Sequence, residues 1–469
     1  MSSEIKAPES FRDKVSTIDE QGKRIWIYPK KPRGPLHRAR AAVSILLLAF
    51  LFAAPFIKVN GQPLILLNVL ERKFILFGLA FWPQDLHLFA LTMIALIVFI
   101  ILFTAVFGRL WCGWACPQIV FMEMVFRKIE YWIEGDAHQQ RALNKAPWSA
   151  GKFVKKASKH AVFYGLSFLI GNILLAYIIG VEELFKIITD PPGQHVAGLT
   201  AMILFSGLFY FIFAYFREQA CTMVCPYGRL QGVLLDPNSI VVMYDFQRGE
   251  PRGKIKKGAE RVPLGHCVEC RLCVQVCPTG IDIRDGTQLE CVNCAACIDA
   301  CNEVMERVNF PKGLIRYASF NGVKSGEKLK ITPRIVGYSA LLLALVGLLS
   351  FLLLTRSAIE ATILRTPGVL YQEVEEGKIQ NLYNLKVANK SFDRLSVHLK
   401  LLEPPGEILL VGGEQLNVPE DGLAESVFFV KLPRAQLRGV QTPLRIGVYD
   451  GERLLETVKT GFLGPAGGR

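Results

Sequence analysis

The chain has 469 residues, of which 51% are hydrophobic and only 20% charged, and its mean hydropathy of +0.30 points to a membrane protein rather than a water-soluble one. The net charge of +13 is no argument for nucleic acid, because the basic residues gather beside apolar runs, where they orient spans and meet anionic membrane lipid. All twelve cysteines lie between Cys112 and Cys301, a distribution that suits metal ligation and excludes a disulfide scaffold.

Residues 1–40 form a basic segment with ten Lys or Arg and no small-residue cleavage site, so a removed signal peptide is not expected. Five stretches then reach the length a bilayer requires: 41–57, 86–107, 161–181, 199–216 and 335–354. The connections carry ten, three, nine, one and seventeen Lys or Arg in turn. That alternation predicts a multi-pass protein of a bacterial inner membrane, with its N-terminus and residues 217–334 cytoplasmic and its C-terminus periplasmic. Residues 63–82 are apolar but interrupted by Glu71, Arg72 and Lys73, and read as an interfacial or re-entrant hairpin on the outer side. Residues 118–134 mix Ile119, Met122, Phe126 and Trp132 with Glu123, Arg127, Lys128 and Glu130 at helical spacing. They read as an amphipathic helix on the inner surface.

The domains expected are the basic segment 1–40, a four-helix membrane region 41–216, a cytoplasmic region 217–334, a fifth span 335–355 and an outer domain 356–469. From Gln380 onward short alternating strands between Gly, Pro and Asn/Asp turns predict an immunoglobulin-like β-sandwich. The fold class is therefore a polytopic α-helical membrane protein with an inserted two-cluster ferredoxin-like domain, about residues 260–310, and a C-terminal sandwich.

That inserted domain rests on Cys267-x2-Cys270-x2-Cys273-x3-Cys277-Pro278 followed by Cys291-x2-Cys294-x2-Cys297-x3-Cys301. In the bacterial two-cluster run, three close thiolates hold three irons of a cubane and the fourth ligand comes from the other run. One 4Fe-4S cluster is expected on Cys267, Cys270, Cys273 and Cys301, the other on Cys291, Cys294, Cys297 and Cys277. Zinc would call for two pairs separated by a finger-length loop.

Cys112-x3-Cys116-Pro117 follows the second span and Cys221-x3-Cys225-Pro226 the fourth. Residues four apart share a helix face, and the repeat suggests that all four sulfurs meet at one membrane depth. Buried structural cysteine is the plain alternative; a soft thiolate site suited to Cu(I), a further cluster or dithiol chemistry are the functional ones. No Cys-x-x-Cys-His run suggests c-type haem. His87 and His195 stand near span ends as candidate metal or quinone contacts, and His266 beside Cys267 as a hydrogen-bonding neighbour of a cluster.

The stretches Gly108-Arg109-Leu110-Trp111-Cys112-Gly113-Trp114-Ala115-Cys116-Pro117-Gln118, Cys221-Thr222-Met223-Val224-Cys225-Pro226-Tyr227-Gly228-Arg229-Leu230-Gln231-Gly232 and Phe81-Trp82-Pro83-Gln84-Asp85, together with the double cysteine run, resemble the bacterial CcoG family, also called FixG or RdxA. These are accessory proteins of the cbb-type cytochrome c oxidase. The resemblance implies a cupric reductase with two 4Fe-4S clusters and copper as substrate, supplying Cu(I) for the oxidase copper centre. It gives the copper role to Cys112, Cys116, Cys221 and Cys225, and implies oxidase assembly factors and copper transporters as partners. The electron donor stays unassigned, and a homo-oligomer stays open. A quinol-linked ferredoxin conduit to another redox system and a non-enzymatic copper chaperone or assembly scaffold are the competing functions.

Overall fold

The computed structural model describes residues 17–465 apart from 20, 60, 70–72, 82–84, 255–263, 327–330, 358, 369, 375–376, 392 and 421. The chain divides into two compact units, residues 1–57 with 90–348 and residues 58–89 with 349–469. Five helices are long and apolar enough to cross a membrane: Pro35–Phe56, Leu86–Phe107, Ala150–Ile179, Val196–Phe216 and Pro333–Leu354. A helix is the single-chain segment that satisfies all its own backbone groups in lipid. The third starts eleven residues before the apolar stretch. Ser149 caps it by accepting the Lys152 N–H at 3.3 Å, and the lysine-rich first turns extend the helix by roughly 16 Å at 1.5 Å per residue.

Residues 118–134 do not form a helix with its charges turned to water. The segment winds as a π-helix over Val120–Phe126 and an α-helix over Arg127–Ile133, and it buries charged residues together with its apolar ones. Arg127, Glu130 and Glu134 are at most 2% exposed, as are Ile119, Met122 and Phe126, whereas Lys128 is exposed. The burial of charge has a physical cause: complementary charges arrive from neighbouring elements. Glu130 takes both Arg217 Nη atoms, at 3.1 and 2.8 Å, and Lys159 at 3.2 Å. Glu134 takes Lys156 at 2.9 Å and Lys159 at 3.0 Å.

The cysteine-rich segment carries two short helices, Leu272–Gln275 and Ala296–Arg307. Strand Val241–Tyr244 pairs antiparallel with Ile315–Ala318, and Val242, Tyr244, Ile283, Ile298, Met305 and Leu314 form its core.

In the second unit, every strand pairing is antiparallel. One sheet runs Glu407–Leu410, Gly422–Pro433, Lys378–Asn389, Ile359–Arg365; the other runs Leu416–Val418, Leu395–Glu403, Gln441–Asp450, Arg453–Leu463. Ile379, Tyr383, Leu385 and Val387 point inward at period two and meet Phe428, Val430, Leu444, Ile446 and Phe462 in a shared core. The Tyr383 hydroxyl crosses between the sheets to donate to the Gly461 carbonyl at 2.9 Å. Strands begin at Ile359, ahead of the Gln380 start expected from alternation.

The apolar run 63–82, read from sequence as an interfacial or re-entrant hairpin, is built of strands. It is a three-stranded antiparallel meander, Ile65–Asn68, Lys73–Leu76 and Leu79–Phe81. Asp85 follows it, buried, and binds Arg356 at 2.6 Å and Lys390 at 2.8 Å. Of the Phe81 to Asp85 motif, Trp82, Pro83 and Gln84 lie outside the described residues.

Candidate metal centres

The eight cysteines of the double run separate into two groups of four around two cavities. One cavity is lined by Cys267, Cys270, Cys273 and Cys301. The other is lined by Cys277, Cys291, Cys294 and Cys297, with Cys273 at its margin. The two cavities are equal in size, as two copies of one cofactor require. Each set takes its fourth thiol from the other run.

The backbone of the two runs repeats as well. Glu269 and Arg271 have φ of 53° and 56°, and Asn293 and Ala295, at the matching positions, 53° and 63°. None is glycine, and left-handed conformation at such residues costs energy that the surrounding structure must offset. Alternating hand turns successive N–H groups to one side, the arrangement that receives anionic groups, Fe–S sites among them. The Asn293 conformation is held by its own side chain, which accepts the Val242 N–H at 3.2 Å, and by Tyr317, whose hydroxyl donates to the Asn293 carbonyl at 2.7 Å.

Among the described residues, no three His, Cys, Asp or Glu side chains approach closely enough to share one metal ion. Four thiols spaced around an enclosed space suit a polynuclear cluster instead. Burial, and then Asp282, pushes the Cys273 thiol up to about 12. Burial, and then the neighbouring thiols, does the same for Cys301. Cys273 and Cys301 therefore keep their protons until metal arrives, and loading must release them.

Cys112, Cys116, Cys221 and Cys225 are free thiols of intermediate exposure, and all four lie within electrostatic reach of one another. They do not meet as one helix face. Cys112 sits in the short helix Leu110–Trp114 and Cys221 in the π-turn Ala220–Val224, while Cys116 and Cys225 are extended residues opening the next helices. A residue preceding proline is pushed out of the α region, so each Cys-Pro bond breaks the helix between its two thiols. Burial, followed by the other thiols, raises Cys221 to about 12.

Three residues that sequence spacing did not single out complete this site. Gln231, 4% exposed, accepts the Cys112 thiol through Oε1 at 2.9 Å. Arg109, also buried, donates to the Leu289 carbonyl and fits against Gly228. Gly113 lies so near the Val292–Cys294 backbone that a Cβ there would overlap the Val292 carbonyl oxygen, and its own carbonyl accepts Arg40 Nε at 2.6 Å. Trp114 adds a bond from Nε1 to Tyr317 Oη at 3.0 Å. The sequence signal for all three was membership of the two stretches that carry the family resemblance, Arg109 and Gly113 beside the first cysteine pair and Gln231 beyond the second.

The histidines contribute less. His195 pairs with Asp190 at 3.0 Å, His87 is exposed, and His266 stacks on Phe310 with ring centroids 4.7 Å apart.

Apolar spanning helices, a paired-run cysteine domain and a β-sandwich define a membrane-bound iron-sulfur electron-transfer protein. Residues 216–320 match the family of the 4Fe-4S dicluster domain, residues 89–136 a 4Fe-4S binding domain, and residues 349–465 the IG-like fold at the C-terminal of FixG. The nitrogen fixation protein FixG of Rhizobium meliloti is 32% identical over 88% of this chain and 88% of its own. Protein RdxA of Cereibacter sphaeroides is 32% identical over 90% and 93%, and RdxB of the same organism 33% over 93% and 95%. The chain belongs to the FixG/RdxA family.

Proposed function

We propose that the chain reduces Cu(II) to Cu(I) for assembly of a cbb-type oxidase, with its N-terminus and cysteine-rich domain in the cytoplasm and its sandwich in the periplasm. Cys267, Cys270, Cys273 and Cys301 hold one 4Fe-4S cluster, and Cys277, Cys291, Cys294 and Cys297 the other. Bound clusters supply one-electron carriers. Cys112, Cys116, Cys221 and Cys225 receive the copper substrate, and thiolates favour its Cu(I) product. Each copper needs one electron, from a cytoplasmic or membrane-bound one-electron donor, and copper transporters and assembly factors take the product onward.

The observation that carries this reading is the contact of Gly113 with the Val292–Cys294 backbone. It seats Cys112 directly beside the loop bearing Cys291 and Cys294, so the copper site and the redox domain adjoin. Gln231 holds the Cys112 thiol in its protonated form. Arg109 favours loss of that proton when metal arrives, since its charge opposes the rise that burial imposes.

Serine at both Cys112 and Cys116, or at both Cys221 and Cys225, should leave the visible cluster absorbance intact and abolish the reoxidation of the reduced clusters by Cu(II). Cys270→Ser or Cys294→Ser should remove a cluster and the activity together. Membrane-pair variants that react with Cu(II) as fast as the parent would contradict the copper site.

One observation favours a second reading. The 4Fe-4S binding match over residues 89–136 includes Cys112 and Cys116, so the quartet would hold a third cluster in a conduit to another redox system. Iron analysis separates the two: about eight irons per chain for the copper site, about twelve for the third cluster.

A further inference from the structure

A cavity of about 220 Å³ opens beside the first long helix, lined by Lys31, Pro32, His37, Arg40, Glu123, Met124, Lys128 and Tyr131. Its charge is one-sided. Arg40 is 2% exposed, and its Nη2 is buried without a hydrogen-bond partner. Among the described residues, no carboxylate forms an ion pair with Lys31, Arg40 or Lys128. The acids around the cavity are committed elsewhere: Glu123 to Arg127 at 2.7 Å, Asp136 to the Lys31 backbone N–H at 2.8 Å, and Asp299 to the Leu36 and His37 N–H groups. Burial, and then Arg40 and Lys31, pushes the Lys128 ammonium below its ordinary value. That is the mark of like charges held together with nothing to compensate them.

We propose that this cavity binds the phosphate group of an anionic ligand between the Arg40 guanidinium and the Lys31 and Lys128 ammonium groups. Size sets the class, because pockets that enclose drug-sized ligands run to roughly 300–1,000 Å³. This one suits a phosphate rather than a nucleotide or a quinone ring. Arginine offers the forked donors that phosphate accepts, and lysine a movable point charge. Lys31 and Lys128 are exposed at the mouth while Arg40 forms the floor, so a ligand can enter from solvent. The site also lies at the start of the first long helix, three turns or less from the apolar stretch, where basic pockets between helices take acidic lipid headgroups. The phosphate therefore comes either from an acidic phospholipid or from solution, and both present the same group to Arg40.

The test uses the full-length, cluster-loaded protein, delipidated in detergent and titrated calorimetrically with inorganic phosphate, then placed in nanodiscs of phosphatidylcholine with or without phosphatidylglycerol. Saturable binding of phosphate in detergent identifies a soluble anion. Thermal stabilisation by phosphatidylglycerol alone identifies the lipid. In either case the Lys31→Gln/Lys128→Gln double variant should weaken the response at least tenfold. Arg40→Gln should do the same, but Arg40 also holds Gly113, so the lysine variant decides if the arginine variant fails to fold. A parent that responds to neither probe, or a lysine variant that responds as the parent does, overturns the proposal.

Discussion

At Gly113 the absence of a side chain is a structural requirement. Its neighbours are the backbone atoms of Val292, Asn293 and Cys294, and backbone cannot rotate aside as a flexible side chain can. Gly113→Ala should therefore cost about 1–3 kcal/mol through overpacking, seen as a lower unfolding temperature, and should slow Cu(II)-driven reoxidation of the reduced clusters at unchanged iron content. Unaltered stability and rate would mean that the two segments do not touch. Ala295 makes a complementary case. Its φ of 63° costs an ordinary residue roughly 1–2 kcal/mol, and a β-branched side chain more. Ala295→Gly should be tolerated, whereas Ala295→Val should lower iron content by destabilising the loop between Cys294 and Cys297. Equal iron content in the two variants would contradict the left-handed conformation.

The element that departs most from its sequence pattern is the segment after the first Cys-Pro pair. Its charges looked solvent-facing because sequence alone does not show that Arg217 and Lys159, from two other elements, close over Glu130. Burial alone would raise the Glu130 pKa, but Arg217 and Lys159 outweigh it and hold the carboxyl well below the usual carboxylate range. The folded value lies below the unfolded one, so the stabilisation is complete above the unfolded carboxylate pKa of about 4.3 and fades as pH falls below it. Glu130→Gln takes the two-point carboxylate partner from the buried Arg217, while Lys159 keeps Glu134, and should cost about 3–5 kcal/mol at neutral pH. The gap between parent and variant unfolding temperatures should narrow on acidification. A gap that stays constant from about pH 4.5 down to about pH 2.5 would contradict the ion pairing. By contrast the cysteine runs were legible at this scale, because ligand spacing is a local property. The grouping of Cys277 and Cys301 each with the opposite run follows from that spacing and is what the two cavities display. The approach of Gly113 to Val292 joins residues about 180 positions apart, and no local pattern announces it. The strands at 65–81 were not legible as strands, because a short apolar run does not by itself reveal its backbone conformation.

Across the whole molecule, the five apolar helices stood out because a bilayer imposes both length and composition. The orientation proposed from Lys/Arg asymmetry predicts that protease outside spheroplasts cuts after residue 356 and spares 217–334; the reverse pattern would remove the reducing environment assumed for the cysteines. The copper reduction proposed above rests on two observations together: a double cysteine run lining two cavities, and a thiol quartet whose Gly113 lies against that domain. The most direct measurement is an anaerobic titration of the chemically reduced, purified protein with Cu(II), following the visible absorbance and trapping Cu(I) with a colorimetric chelator. The expected result is return of the oxidised spectrum with one Cu(I) formed per electron, up to about two per chain for two one-electron centres. A spectrum that stays reduced in excess Cu(II), with no Cu(I) trapped, would contradict it.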